Sequence, residues 1–203
     1  MAEAKPFEAC GGMMSMRKGL IAILLVLVLA SACIGQAKAN PYQLTFGGAM
    51  LTFRANLEQA AKTPVDDANS VRALLLDPNI EEVHLAYIPN QSAAPRGGTI
   101  TGFYLVDGYE LAYKLTAIYS TYFGGAVNII TLPLNSTGEA LAAATKERPV
   151  IIMEAGRNPT EVRIDGNYSI VYVRGADMSQ NGRDYTDLDL AVDKLLLVLM
   201  GRD

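Results

Sequence analysis

Four kinds of residue in this chain could do chemistry: a carboxylate near an arginine, one histidine, a set of spaced aspartates, and a cysteine that closes an apolar run. Glu154 and Arg157 stand three apart and are followed by Asn158-Pro159. A carboxylate beside a guanidinium is held ionised, which suits gripping a polar ligand better than donating a proton at neutral pH. Asn90 follows Pro89, and Asn135 lies two residues after Pro133. Asparagine both donates and accepts, and proline fixes a loop, so Asn90, Asn135, Glu154, Arg157 and Asn158 form the candidate binding set. The same residues are also what ordinary turns are made of. Asn90-Gln-Ser, Asn135-Ser-Thr and Asn167-Tyr-Ser are glycosylation sequons as well. A glycan at Asn90 or Asn135 would exclude a cleft role for that residue.

The other groups read as structural. His84 alternates with Val83 and Leu85 in strand-like sequence, which points to a half-buried, satisfied side chain rather than a base. Asp187, Asp189 and Asp193 have the look of a metal cluster, but the first two fall in a helix's first turn, where the dipole favours carboxylates. Asp189 and Asp193 share a face at i,i+4, and like charges there are mildly destabilising unless a cation or an arginine sits between them. No metal and no cofactor is expected, and neither a Gly-x-Ser-x-Gly elbow nor a Walker loop is present. The tyrosines at 104, 109, 113, 119 and 122 offer a sugar-stacking stripe. Packing of their own helix is the expected use, with Tyr109 and Tyr113 flanking its apolar face.

The elements that must position these groups alternate between strand and helix. Residues 44–46 and 49–54 flank Gly47-Gly48, a two-residue hairpin signal. Asp67 caps a helix through Val71, Leu74 and Leu75 that stops at Asp77-Pro78. Residues 82–88 form a strand. Leu111, Leu115, Ile118 and Tyr122 line one face of a helix over 107–123, which Gly124-Gly125 ends. A strand at 127–132, a capping box at Ser136-Thr-Gly-Glu139 with its helix to about residue 145, and a strand at 150–153 follow. The runs 129–132 and 150–153 do not alternate, as expected of strands buried on both faces. Residues 160–164 and 168–174 flank the turn signal Asp165-Gly-Asn167. Thr186 and Asp189 cap a last helix that is apolar after Asp193 and is expected to lie against the sheet, since 195–200 is far too short to span a bilayer. The order predicts an α/β fold: a three-layer sandwich with a central, mainly parallel sheet and antiparallel hairpins at the edges. Ligands gather outside the carboxyl ends of such strands, so the loops at Asn90, Asn135 and 154–158 are expected to converge on one edge.

The amino-terminal segment speaks to location. Met16-Arg-Lys-Gly19, the apolar run 20–30 and Ser31-Ala-Cys33 are the three parts of a secretory leader. Glu3 and Glu8 are unlike a basic leader start, whereas Met13, Met14 or Met16 gives an ordinary one. The expected division is a leader and tether at 1–39, with a signal peptide at 13–32 and a linker at 33–39, then a single α/β domain at 40–203. Ala30-Ser-Ala32 suits cleavage before Cys33, leaving that cysteine as a lipid acceptor; Ala37-Lys-Ala39 offers a second site that would leave the chain secreted. Uncut, the run 20–34 falls short of the roughly 20 residues that span a bilayer. Cys10 and Cys33 are the only cysteines, so the mature domain has no disulfide and must rest on an ordinary core. Losing residues 1–32 removes Lys5, Arg17 and Lys18 against Glu3 and Glu8, which moves the formal charge from −4 to −5. Nucleic acid is not an expected partner.

The stretch before Cys33 resembles a lipoprotein lipobox, with Ala30 where that pattern prefers leucine. Arg17-Lys18-Gly19-Leu20 is similar to an archaeal prepilin leader, though the apolar run is too short for a filament core. Cys33-Ile-Gly resembles the leader ending of uncharacterised archaeal exported proteins. Residues 139–156, a helix feeding Arg148-Pro-Val-Ile-Ile into a glycine-bearing loop, are similar to archaeal S-layer and cell-wall-binding modules. That resemblance carries no residue role and implies envelope association by protein or glycan contacts. The sequence thus points to an exported, non-enzymatic binding or structural module of the cell envelope, held at the membrane by lipid or leader. An exported hydrolase or transferase using carboxylates such as Glu154 and Asp107 is a second reading. A small solute-binding lipoprotein is a third, opposed by the absence of a two-lobed clamp.

Overall fold

The computed structural model describes residues 40–87, 100–133, 137–157, 159–180 and 182–202. The leader, Cys33, Asn90, Asn135 and Asn158 lie outside the described residues. Glycine shapes the first element: Gly47 and Gly48, at φ +57° and +82°, make the turn between β1 (Gln43–Phe46) and β2 (Ala49–Thr52). These strands pair antiparallel with Gln43 opposite Thr52. Asn56 caps a short helix α1 (Leu57–Ala60), accepting from the Glu58 amide at 2.9 Å. Asp67 caps α2 (Ala68–Leu75), accepting from the Asn69 and Ser70 amides at 3.0 Å each, and that helix buries Val71 and Leu75.

The main sheet contains β3 (Glu82–Tyr87), β4 (Asn128–Pro133), β5 (Val150–Ala155), β6 (Glu161–Asp165) and β7 (Ile170–Gly175), in the order β4-β3-β5-β7-β6. All neighbours are parallel except β6, which is antiparallel to β7. The fold is α/β, as the alternation of elements predicts. The helix α3 (Ile100–Phe123) links β3 to β4 on one side of it, and α4 (Thr137–Ala143) links β4 to β5 on the other side. Right-handed crossovers that move in opposite directions put their helices on opposite faces. The core divides accordingly. A large cluster joins β2, α2, α3 and α5 (Asp187–Leu199) to one face, and a smaller one of Ala86, Val150, Ile152, Ile170 and Tyr172 lies on the other, where Ala144 packs.

Three local expectations are corrected. α3 starts at Ile100 rather than Asp107, because Ile100–Val106 combines β-branched, aromatic and glycine residues with poor helix propensity, and packing overrides it. Tyr104 is buried there and accepts a hydrogen bond from the Ala155 amide at 2.8 Å. Tyr122 is exposed and Tyr119 takes its place in the core, its hydroxyl donating to the Leu75 carbonyl at 2.7 Å. β4 is an edge strand with Ile130 and Thr131 exposed, so its apolar run does not mean burial on both faces, whereas all six residues of β5 are buried.

The last helix behaves as its sequence predicts. Thr186 and Asp189 form a reciprocal capping box, Gly201 at φ +67° ends the helix, and the residues from Leu195 to Leu199 are all buried. Gly175, the final residue of β7, lies so close to the Asp187–Leu188 backbone that a β-carbon would collide with it. The Gly175→Ala variant should therefore lose about 1–3 kcal/mol or more in urea unfolding, because backbone, not a flexible side chain, must move. An unchanged midpoint would contradict the docking of α5 on the end of β7.

Candidate functional site

α3 carries Asp107, Glu110 and Lys114, whose spacings of three and four put them on one helix face. A surface helix normally turns such a face to water. Here it turns inward: Asp107 and Lys114 are buried and Glu110 is half-buried. The outer side instead presents Leu105, Val106, Tyr109 and Tyr113, which are 60%, 45%, 77% and 62% exposed. Thr116, Ser120 and Thr121 continue it, and no charged residue of α3 is exposed.

The inward charges meet two partners. Arg54, just past β2, donates from Nε to Asp189 Oδ1 at 2.5 Å and lies 4.0 Å from Asp107 Oδ1 and 3.9 Å from Glu110 Oε2. Asp189 Oδ2 accepts from the Thr186 amide at 2.6 Å and the Thr186 hydroxyl at 2.9 Å. One turn on, Asp193 Oδ2 accepts from the Ala55 amide at 2.7 Å, and its Oδ1 lies 4.0 Å from Lys114 Nζ. Lys114 pairs with Glu110 and sits over the Phe53 ring, 4.2 Å from its centroid. Arg54 and Lys114 thus supply the cations that the Asp189–Asp193 spacing demands. Among the described residues no cluster of histidine, cysteine and carboxylate side chains is arranged to hold a metal.

Burial, then the charge and hydrogen bond of Asp189, push the Asp107 carboxyl well above the usual range, against the pull of Arg54. Burial acts on Asp189 too, but hydrogen bonds from Asp107, the Thr186 amide and Arg54 outweigh it and lower its pKa. Asp107 is accordingly the neutral acid of the pair and Asp189 the ion. Burial also pushes Asp193 up to about 8, with Lys114 opposing. Asp107 Oδ2 and Asp193 Oδ1 are buried without hydrogen-bond partners. Over this cluster runs a groove of about 450 Å³, walled by Leu105, Val106, Tyr109 and Tyr113 and floored by Arg54, Glu110 and Lys114. Its walls are apolar, and its floor charges are paired, Lys114 with Glu110 and Arg54 with Asp189 beneath. Such a groove can hold apolar or amphipathic matter, and it presents no activated nucleophile.

Of the sequence-predicted site residues, Glu154 and Arg157 are among the described ones and lie elsewhere. Glu154 is buried and is paired by Arg174 Nε at 2.6 Å, its neighbour in the β5–β7 register. Arg174 also reaches Glu161 at 2.9 Å. Arg157 is exposed beyond the turn at Gly156 (φ +70°), so the pairing of Glu154 is cross-strand rather than local. Strand alternation puts Glu154 on the opposite face from Met153 and Ala155, which belong to the core beneath α3 and α5. Asp107 and Glu154 therefore do not share a cleft. Asn167 is exposed in the β6–β7 turn. His84 is half-buried as expected, with Nε2 3.1 Å from Glu82 Oε2, but it is not fully satisfied, since its Nδ1 is buried without a hydrogen-bond partner. Of the tyrosines, Tyr104 and Tyr119 pack in the core as expected, whereas Tyr109 and Tyr113 do not.

The buried carboxyls give stability a definite pH dependence. Between the ordinary value of 3.8 and about 8, folded Asp193 keeps a proton that the unfolded chain has released. Stability should thus fall as pH rises through this window, by at most about 1.4 kcal/mol per pH unit from this group. Asp107 adds in the same direction. Urea midpoints should be lower at pH 8 than at pH 5, and Asp193→Asn should flatten the slope while keeping an acceptor for the Ala55 amide. An unchanged slope in that variant would contradict the assignment.

No family model, no curated protein and no solved structure matches this chain.

Proposed function

We propose that this chain is an exported, membrane-tethered, non-enzymatic binding module of the cell envelope, and that it makes contact through the outer face of α3. One observation carries the contact reading: the helix turns all of its charges inward and exposes Leu105, Val106, Tyr109 and Tyr113 side by side. Contiguous exposed apolar residues mark interaction surfaces, whereas single ones need no explanation. The state of the carboxylates supports binding over hydrolysis. Glu154 is neutralised by Arg174, and Asp189 is held by Arg54 and its own capping box. The leader and Cys33 supply the export and the tether in this reading, and Asn167, in its exposed turn, is an open acceptor for a glycan.

Membrane fractionation joined to mass spectrometry of the amino-terminal peptide tests it. The expected mature end is a lipid-modified Cys33, and Cys33→Ser should release the chain from the membrane fraction. A mature end at Asn40 would remove the tether. The Tyr109→Ser/Tyr113→Ser variant should keep its melting temperature, because neither ring is in the core, and should stay in the membrane fraction through Cys33 while losing chemical cross-linking of α3 to the envelope. Unchanged cross-linking would remove α3 as the contact surface.

A further inference from the structure

We infer that the outer face of α3, together with the outward face of β2, rests on the lipid surface to which the chain is tethered. This deepens the tethered-module reading and depends on it. Among the described residues, the only charges along this face are the paired ones at the floor of the groove, Arg54 with Asp189 and Lys114 with Glu110. Leu105, Val106, Tyr109 and Tyr113 are exposed on α3, and on β2 Met50 is 67% exposed while Leu51, pointing the other way, is buried. Apolar side chains ending in tyrosine hydroxyls match the boundary between acyl chains and headgroups, where such amphipathic rings collect.

The position of the chain's entry favours lipid over another protein. Asn40 accepts from the Gln43 amide at 3.1 Å, and Gln43 pairs in register with Thr52, which lines the groove beside Tyr109 and Tyr113. Two and three residues on, Arg54 and Ala55 are fixed to Asp189 and Asp193. The tether therefore joins the domain at the border of this face, through a segment that is pinned. From Cys33 to Asn40 the chain reaches at most about 25 Å, against a radius of gyration of about 15 Å for a domain of this size. A domain held that closely turns the side next to its tether toward the bilayer.

The chain has no tryptophan, so a single one is a clean reporter. The full-length chain carrying Tyr109→Trp, and a control carrying Tyr168→Trp in the β6–β7 turn, are reconstituted with phosphatidylcholine–phosphatidylglycerol vesicles containing brominated phosphatidylcholine. Flotation reports the tether and bromine quenching reports the docked face. The expected result is flotation of both variants, with blue-shifted emission at position 109 and quenching severalfold stronger there than at position 168. Adding Leu105→Ser and Tyr113→Ser should reduce that quenching without reducing flotation or helical circular dichroism. Flotation with equally weak quenching at both positions would overturn the docked face and leave the tether standing. Failure to float would overturn both. A blue shift at position 109 without bromine quenching, accompanied by a dimer on cross-linking, would assign the face to a second copy of the chain and overturn the lipid assignment.

Discussion

The hydrogen bond from Arg54 to Asp189, with Asp107 4.0 Å away, ties together the segment after the opening hairpin, α3 and α5. Charges taken out of water are tolerated only when each is matched, and removing one partner leaves the others uncompensated. Arg54 balances Asp189, Lys114 balances Glu110, and burial pushes the remaining acids, Asp107 and Asp193, toward the neutral form. Asp193 adds a second tie, to the Ala55 amide. This cluster holds the rotation of α3 about its own axis, setting Asp107 and Glu110 beside Arg54 and Lys114 beside Asp193.

That rotation decides what the surface offers. With its charged stripe used inside, α3 has only aliphatic, aromatic and hydroxyl side chains left for the outside. The exposed apolar face is thus the other side of an internal electrostatic constraint, and the two should change together. It also borders the point where the chain enters the domain, since the residues that Asp189 and Asp193 hold lie directly after β2, the partner of the entering strand.

Much of the fold was legible because local chemistry specified it: Gly47-Gly48 for the hairpin, Asp67 and the Thr186–Asp189 box for two helix starts, and unbroken apolar residues for β5. What was not legible depended on partners far away in sequence. The edge position of β4 follows from strand order, which a run such as 129–132 does not encode. The partner of Glu154 follows from cross-strand register, which selects Arg174 twenty residues later over Arg157 three residues later. The Asp189–Asp193 spacing did call for a cation, but nothing local indicated that Arg54, 135 residues earlier, would answer it. Asp107, Glu110 and Lys114 share a face at helical spacing in an otherwise apolar helix, a pattern that reads as a solvated stripe until the buried aspartates of α5 are set against it.

Amide hydrogen exchange at Ala55 in the full-length chain tests the central claim most directly. If Asp193 and Arg54 fix the opening segment to the helical layer, the Ala55 amide should exchange as slowly as those of α5, through global unfolding alone. Exchange at the rate of an exposed loop, with α5 still protected, would show that the cluster does not hold the segment and that the orientation of α3 has another cause.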